Sequence, residues 1–246
     1  MILFIDDSTP GGGGSSDPNF SSVKLLSNFQ GTNGSTTFTD QSPVGRTMTA
    51  NGNAQIKTDQ FIFGTSSAYF DGSGDYVDCG TGTDLSILET TSWTEEFWFR
   101  PDETNYSGGI ASLKGFGYFT NSGGGNYLIG NEYYSAAAAT RRVSGGADNN
   151  SSGPLSGALT ITAGTWYFIQ AVNDAGANTF KVFMGTSGSG TGTQIISTTK
   201  YGRKMRYLGA AGSPGLDYFK GYLGPYRFTS GVARANAVPT ALFPTS

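Results

Sequence analysis

The sequence predicts an all-β sandwich of two antiparallel sheets, and three observations point there. Glycine, serine and threonine are abundant, with 38 Gly, 27 Ser and 29 Thr in 246 residues. Charged residues make up only 13%, about half the usual share, while aromatic residues also reach 13%. Apolar residues come in short alternating runs bounded by Gly, Asn, Asp and Ser clusters, and no stretch keeps a helical period beyond a turn or two. Such a chain is no coiled coil, helix bundle or acidic disordered tail. It is long enough to bury a sizeable core, and no second core with its own linker stands out, so one domain is expected.

Residues 1–20 read as an N-terminal arm and Gly/Ser linker, and residues 21–246 as the domain. Ile2, Leu3, Phe4 and Ile5 form a short β-favouring apolar piece, followed by Pro10 and the run Gly11 to Gly14. A Gly/Ser run is a flexible tether. An apolar strand on a tether can add to the exposed sheet edge of a partner, which makes Ile2 to Ile5 the candidate partner-binding residues.

Within the domain, Val23 to Phe29, Ser66 to Phe70 and Tyr76 to Cys79 read as strands, the last two separated by the turn cluster Asp71-Gly72-Ser73-Gly74. Trp93 to Arg100 is the strongest strand and stops at Pro101. Trp166 to Val172 and Thr179 to Met184 form a hairpin around Asn173-Asp174-Ala175-Gly176. The stretches 121–126, 144–153 and 185–193 read as loops.

Composition also bounds function. The net charge of −3 argues against nucleic-acid binding, and the absence of histidine removes the commonest general base and metal ligand. The single cysteine, Cys79, permits no intrachain disulfide and reads as a small buried hydrophobe. No apolar window reaches the ~18 residues of a membrane span, and Met1 to Ile5 lacks the basic flank of a secretory signal. The expectation is a protein made in the cytoplasm and released by lysis, without membrane insertion.

Four segments, in order, carry a family resemblance. Ser22 to Leu26 with Asn33 to Asp40 and Phe63 to Val77 resembles the opening of LamG-like jelly-roll domains. Thr94-Glu95-Glu96-Phe97-Trp98-Phe99-Arg100 is similar to that family's central strand, and Gly164-Thr165-Trp166-Tyr167 to a second one, with Phe168 where histidine is usual. Gly221 to Arg234 resembles its closing segment. The resemblance spans about 22 to 244 and implies a concanavalin A-like jelly roll. Its ending, Gly-Val-Ala-Arg followed by Leu-Phe-Pro-Thr-Ser, is similar to forms found in tailed phages of aquatic bacteria. That implies a multi-copy virion protein, a capsid decoration or minor surface subunit held by its arm to other virion proteins. The alternative is a tail-fibre adhesin that binds host surface glycans.

Enzymatic relatives of this sandwich hydrolyse glycans with a Glu-x-Asp-x-x-Glu strand. None of Glu89, Glu95, Glu96, Glu103 and Glu132 fits that spacing, and adjacent Glu95 and Glu96 point to opposite sheet faces. No enzyme is expected. Calcium is the family's usual ion, and Asp71, Asp75 and Asp78 are the candidate ligands, with Asp40 near in sequence. The family's late Asp pair is replaced by Gly224-Pro225, and Asp71 to Asp75 is also ordinary turn composition. Tyr106, Tyr118, Tyr133 and Tyr134 are the candidate glycan contacts, or strand residues covering a sheet. Two basic knots, Arg141-Arg142 and Lys200 to Arg206, suit a solvated hairpin or a contact to a neighbouring subunit.

Overall fold

Trp93–Pro101 carries large apolar side chains on both faces, Phe97 and Phe99 on one and Trp98 on the other, and the fold covers them with a second sheet on one side and the C-terminal segment on the other. The computed structural model describes residues 16–102, 114–118, 129–133, 141–144, 159, 161–200, 202–210 and 218–246. Among them are seventeen strands: β1 (Val23–Ser27), β2 (Thr37–Thr39), β3 (Thr47–Asn51), β4 (Gln55–Lys57), β5 (Ser67–Asp71), β6 (Tyr76–Asp78), β7 (Ser86–Ile87), β8 (Trp93–Pro101), β9 (Lys114–Tyr118), β10 (Ile129–Tyr133), β11 (Arg141–Ser144), β12 (Tyr167–Asp174), β13 (Thr179–Gly185), β14 (Thr193–Thr198), β15 (Arg203–Lys204), β16 (Tyr207–Leu208) and β17 (Lys220–Ser230). The two helical elements among the described residues are single 3₁₀ turns.

One sheet runs β14-β13-β12-β8-β17-β5-β4, with β1 also paired to β17; the other runs β11-β10-β9-β16-β6-β3-β2. All pairings are antiparallel, as the sequence predicts for a jelly-roll sandwich. The strands expected at 93–100, 166–172 and 179–184 appear within two residues of those bounds.

Strand β17 organises the eight-stranded sheet. β8 lies along one of its edges; the other pairs first with β5, through Leu223 opposite Ala68, and then with β1, from Tyr226 opposite Ser27. Pro225, which has no N–H to donate, sits where one partner gives way to the next. Its register against β8 shifts there, as expected of proline at a bulge.

The inner face of this sheet builds the main core. Trp93 packs on Phe180 and Phe228 at centroid distances of 5.5 and 6.2 Å, and Phe97 stacks on Tyr226 at 6.0 Å. Cys79 is buried in the same core, and burial pushes its thiol well above the usual range, which makes it an inert hydrophobe.

The outer face carries a second cluster of Val23, Leu26, Trp98, Phe168, Val238 and Phe243. Val238 and Phe243 belong to the tail, residues 231–246, which crosses this face. The Val238 amide donates to Gly190 O at 2.9 Å, and Asn28 exchanges two 3.0 Å hydrogen bonds with the Phe243 backbone. The Asp17 amide closes the path by donating to Ser246 O at 2.9 Å. Asp17, placed in the linker by the sequence reading, is therefore buried in the sandwich, and Phe20 packs against the outer cluster. Ile2, Leu3, Phe4 and Ile5 lie outside the described residues.

Candidate functional site

On β8 the pleat sends Glu95 into the core and Glu96 to the outer face, and both carboxylates are buried. Glu95 accepts a 2.7 Å hydrogen bond from the Tyr226 hydroxyl. Glu96 sits beside its register partners: Arg227 Nε donates to its Oε2 at 2.8 Å, and Gln170 Nε2 to its Oε1 at 3.1 Å. The Arg227 fork reaches on to Asp17 Oδ2 at 2.9 Å, and Arg234 clasps both Asp17 oxygens at 3.0 and 2.7 Å.

Two guanidinium groups thus neutralise two carboxylates under the tail, and the Arg227 guanidinium lies 4.2 Å from the Phe243 ring centroid. Burial alone would raise the Asp17 carboxyl. Hydrogen bonds from Arg234 and the Asn19 amide, with the charges of both arginines, outweigh it and hold the group below its ordinary value. A cavity of about 470 Å³ opens beside this network, lined by Asn19, Glu96, Arg227, Arg234, Phe243 and Pro244 among others. Every charge reaching it is already matched, so the network serves to pin the tail rather than to present a free acid or base.

A second grouping occupies the other end of the outer face, at the β4, β5 and β17 edge. Gln55, Tyr69, Tyr222 and Arg100 stand in register across β4, β5, β17 and β8. The Tyr69 and Tyr222 rings meet at 4.8 Å and 47°. Arg100 lies 5.4 Å over Tyr222, and Lys57 Nζ lies 5.9 Å from the Tyr69 centroid. The Tyr222 hydroxyl donates to Asp59 Oδ2 at 3.0 Å, and Arg100 pairs with Asp102 at 2.7 Å. Neither tyrosine was among the sequence candidates. The available signal was alternation: in Ser67-Ala68-Tyr69-Phe70, the buried Ala68 and Phe70 leave Tyr69 on the outer face.

The candidate metal ligands are engaged with the protein. Asp75 is fully buried and accepts from the Asp71 amide at 2.8 Å and from the Asn53 amide. Asp71 caps the Ser73 amide at 2.7 Å. Asp78 caps Gly80 at 2.9 Å and accepts two hydrogen bonds from Arg206, at 3.1 and 2.9 Å. Asp40 instead holds the amides of Leu26, Ser42 and Arg46 at 2.9, 2.9 and 2.8 Å. Among the described residues no three His, Cys, Asp or Glu side chains gather as a metal site would require. Chelation with EDTA is expected to leave the melting temperature within about 1 °C; a drop of many degrees, restored by calcium, would overturn the turn reading.

Of the sequence-predicted glycan contacts, Tyr106 and Tyr134 lie outside the described residues. Tyr118 and Tyr133 end strands β9 and β10 of the seven-stranded sheet, where Tyr118 pairs with Tyr207 and Tyr133 with Arg141 along the backbone. Arg206, of the basic knot, covers the Tyr207 ring at 4.8 Å.

Comparison with known proteins agrees with this architecture. Domain 4 of the extracellular arabinanase AbnA from Geobacillus stearothermophilus, solved in complex with arabinotriose, is similar over 87% of this chain and 94% of its own, with a TM-score of 0.55 and 15% identity. The binding domain of Paraclostridial Mosquitocidal Protein 1 gives a TM-score of 0.55 at 10% identity, over 88% of this chain and 50% of its own. The binding domain of botulinum neurotoxin serotype G gives 0.52 at 11% identity, over 86% and 48%. The chain thus spans about half the length of the two toxin domains, and at these identities the likeness is one of fold. No curated protein matches the chain closely enough to add a relative. The model of the Concanavalin A-like lectin/glucanases superfamily matches residues 71–238, more than half of the chain, and the protein belongs to that family.

Proposed function

We propose that this protein is a non-catalytic module that binds surface glycans. The observation carrying the reading is the match of nearly a whole sandwich to an arabinanase domain solved with arabinotriose. The fates of Glu95 and Glu96 support the non-catalytic half. Glycoside hydrolysis needs two carboxyl groups facing a substrate across open space. Here one is buried between the sheets against Tyr226, and the other is locked to Arg227 and Gln170. The full chain is expected to be retarded in native gels containing polysaccharide while releasing no reducing sugar from it. Absence of retardation across a panel of neutral and acidic polysaccharides would sink the binding reading, and sugar release abolished by Glu96→Gln would sink the non-catalytic one.

The module's setting is a tailed-phage particle, with residues 1–14 as the arm that attaches it to other virion proteins in many copies. This part rests on the sequence resemblance and on the composition of the arm. Among the described residues, the chain is tied down from Asp17 onward. Repetition on a particle raises effective concentration, so that a weak arm suffices. Removing residues 1–14 is expected to leave polysaccharide retardation intact while the protein no longer sediments with particles. Full occupancy by the shortened chain would overturn the arm.

A further inference from the structure

We propose that the sugar contact lies on the outer face of the eight-stranded sheet, on the platform built by Tyr69, Tyr222, Lys57, Asp59 and Asp102, and that it takes an uncharged sugar chain. This rests on the glycan-binding reading and gives it a place and a ligand class.

The first observation is what the tail covers and what it leaves. Val238 and Phe243 cover Trp98, Phe168 and Leu26, so that half of the outer face is an ordinary buried layer. At the other half, Tyr222 is 6% exposed and forms a floor, while Tyr69 beside it is half-buried and Asp59 is exposed. The loop carrying Asp59 is fixed in place: Ser67 Oγ donates to Gln60 O at 2.6 Å, and Phe63 packs edge-on against Trp98 at 5.6 Å. A partly exposed aromatic ring held on a sheet packs against the CH face of a pyranose or furanose at little cost in side-chain ordering.

The second observation is unused hydrogen-bonding capacity around that ring. Asp59 spends Oδ2 on Tyr222, and Asp102 spends Oδ1 on Arg100; the other oxygen of each has no partner among the described residues. The Tyr69 hydroxyl and the Lys57 ammonium make no hydrogen bond among them either. Burial and the Asp102 charge push the Tyr69 hydroxyl up, and burial pushes the Asp102 carboxyl up in spite of Arg100. Tyr69 and Asp102 are already partly desolvated, so a sugar hydroxyl that donates to Asp102 meets a partner whose hydration is already incomplete, while Asp59 and Lys57 offer further contacts at the rim.

Charge decides the ligand class. Among the described residues, Lys57, Arg100 and Lys220 stand against Asp59, Asp71 and Asp102, three charges of each sign, so they offer no net attraction to a uronic or sialic acid. Carboxylate acceptors beside an aromatic ring suit the paired hydroxyls of a neutral sugar.

The test is affinity electrophoresis of the full chain in arabinan, galactomannan and dextran, against polygalacturonate and alginate. The expected result is retardation by at least one neutral polymer and by neither acidic one. Tyr69→Ala should weaken it about tenfold, equivalent to ~1.4 kcal/mol, and surface-exposed Asp59→Ala should weaken it in the same direction with an unchanged melting temperature. Neutral binding that survives both substitutions, or retardation by the acidic polymers alone, overturns this site while leaving the glycan-binding reading standing. Retardation by none of the five overturns both.

Discussion

Replacing Arg227 with alanine is expected to destabilise the domain by about 3–5 kcal/mol, because it leaves the buried Glu96 carboxylate without its closest cation and Asp17 with one of its two. The side chains of Glu96 and Asp17 are only 3% and 2% exposed, and Arg227 touches both, at 2.7 and 2.9 Å. Arg234 holds Asp17 directly but reaches Glu96 only at 3.7 Å, so it compensates Asp17 more strongly than Glu96. Urea unfolding followed by tryptophan fluorescence measures the loss. Lysine at 227 should rescue little, since one ammonium cannot reproduce a fork that bridges two carboxylates. A loss below about 1 kcal/mol, as for an exposed ion pair, would show that the network carries no weight. The same network sets a pH dependence. The folded Asp17 carboxyl lies below its unfolded value of 3.8, so its contribution is complete above that value and disappears as pH falls through the lower folded one. Acid unfolding should therefore steepen below about pH 4, and Asp17→Asn should flatten that limb.

Much of this fold is legible from side-chain alternation, and the exceptions have physical causes. β8, β12 and β13 are long and rich in aromatic and β-branched residues, so their period shows in the sequence. β2, β3 and β4 each bury a single apolar side chain, Phe38, Met48 and Ile56, amid Thr, Asn and Gln; one buried residue gives no period to read. β17 is interrupted by Gly224-Pro225, which reads as a turn, yet the chain stays extended because the bulge falls where its neighbours change from β5 to β1. Glu96 and Arg227 are similarly opaque. Adjacent glutamates place one carboxylate on each face, but only the strand register brings Arg227 opposite Glu96, and only the returning chain ends bring Asp17 and Arg234 to them. Their contacts join residues 131 to 217 positions apart, beyond any local pattern. Tyr69 and Tyr222 form a cross-strand pair for the same reason, and each looks in sequence like any other strand tyrosine.

Deleting residues 235–246 is expected to bring the domain to the edge of unfolding. The deletion removes Val238 and Phe243 from the outer cluster, about 1.5–3 kcal/mol each for burial. It also removes both hydrogen bonds to Asn28, at about 0.5–1.5 kcal/mol each, and leaves that buried amide unpaired. The combined loss, about 4–9 kcal/mol, is comparable with the 5–15 kcal/mol of an entire domain. What remains exposes Val23, Leu26, Trp98 and Phe168 as one apolar patch, so the shortened chain should bind hydrophobic dyes and associate. Phe243→Ala gives a version that still folds, with a loss near 3 kcal/mol, because the ring is 4% exposed and its removal also bares the face of Arg227. Thermal and urea unfolding of both forms test the idea. Should the shortened chain melt within a degree or two of the full one and stay monomeric without dye binding, the tail is an ornament, and the outer face must be stable on its own.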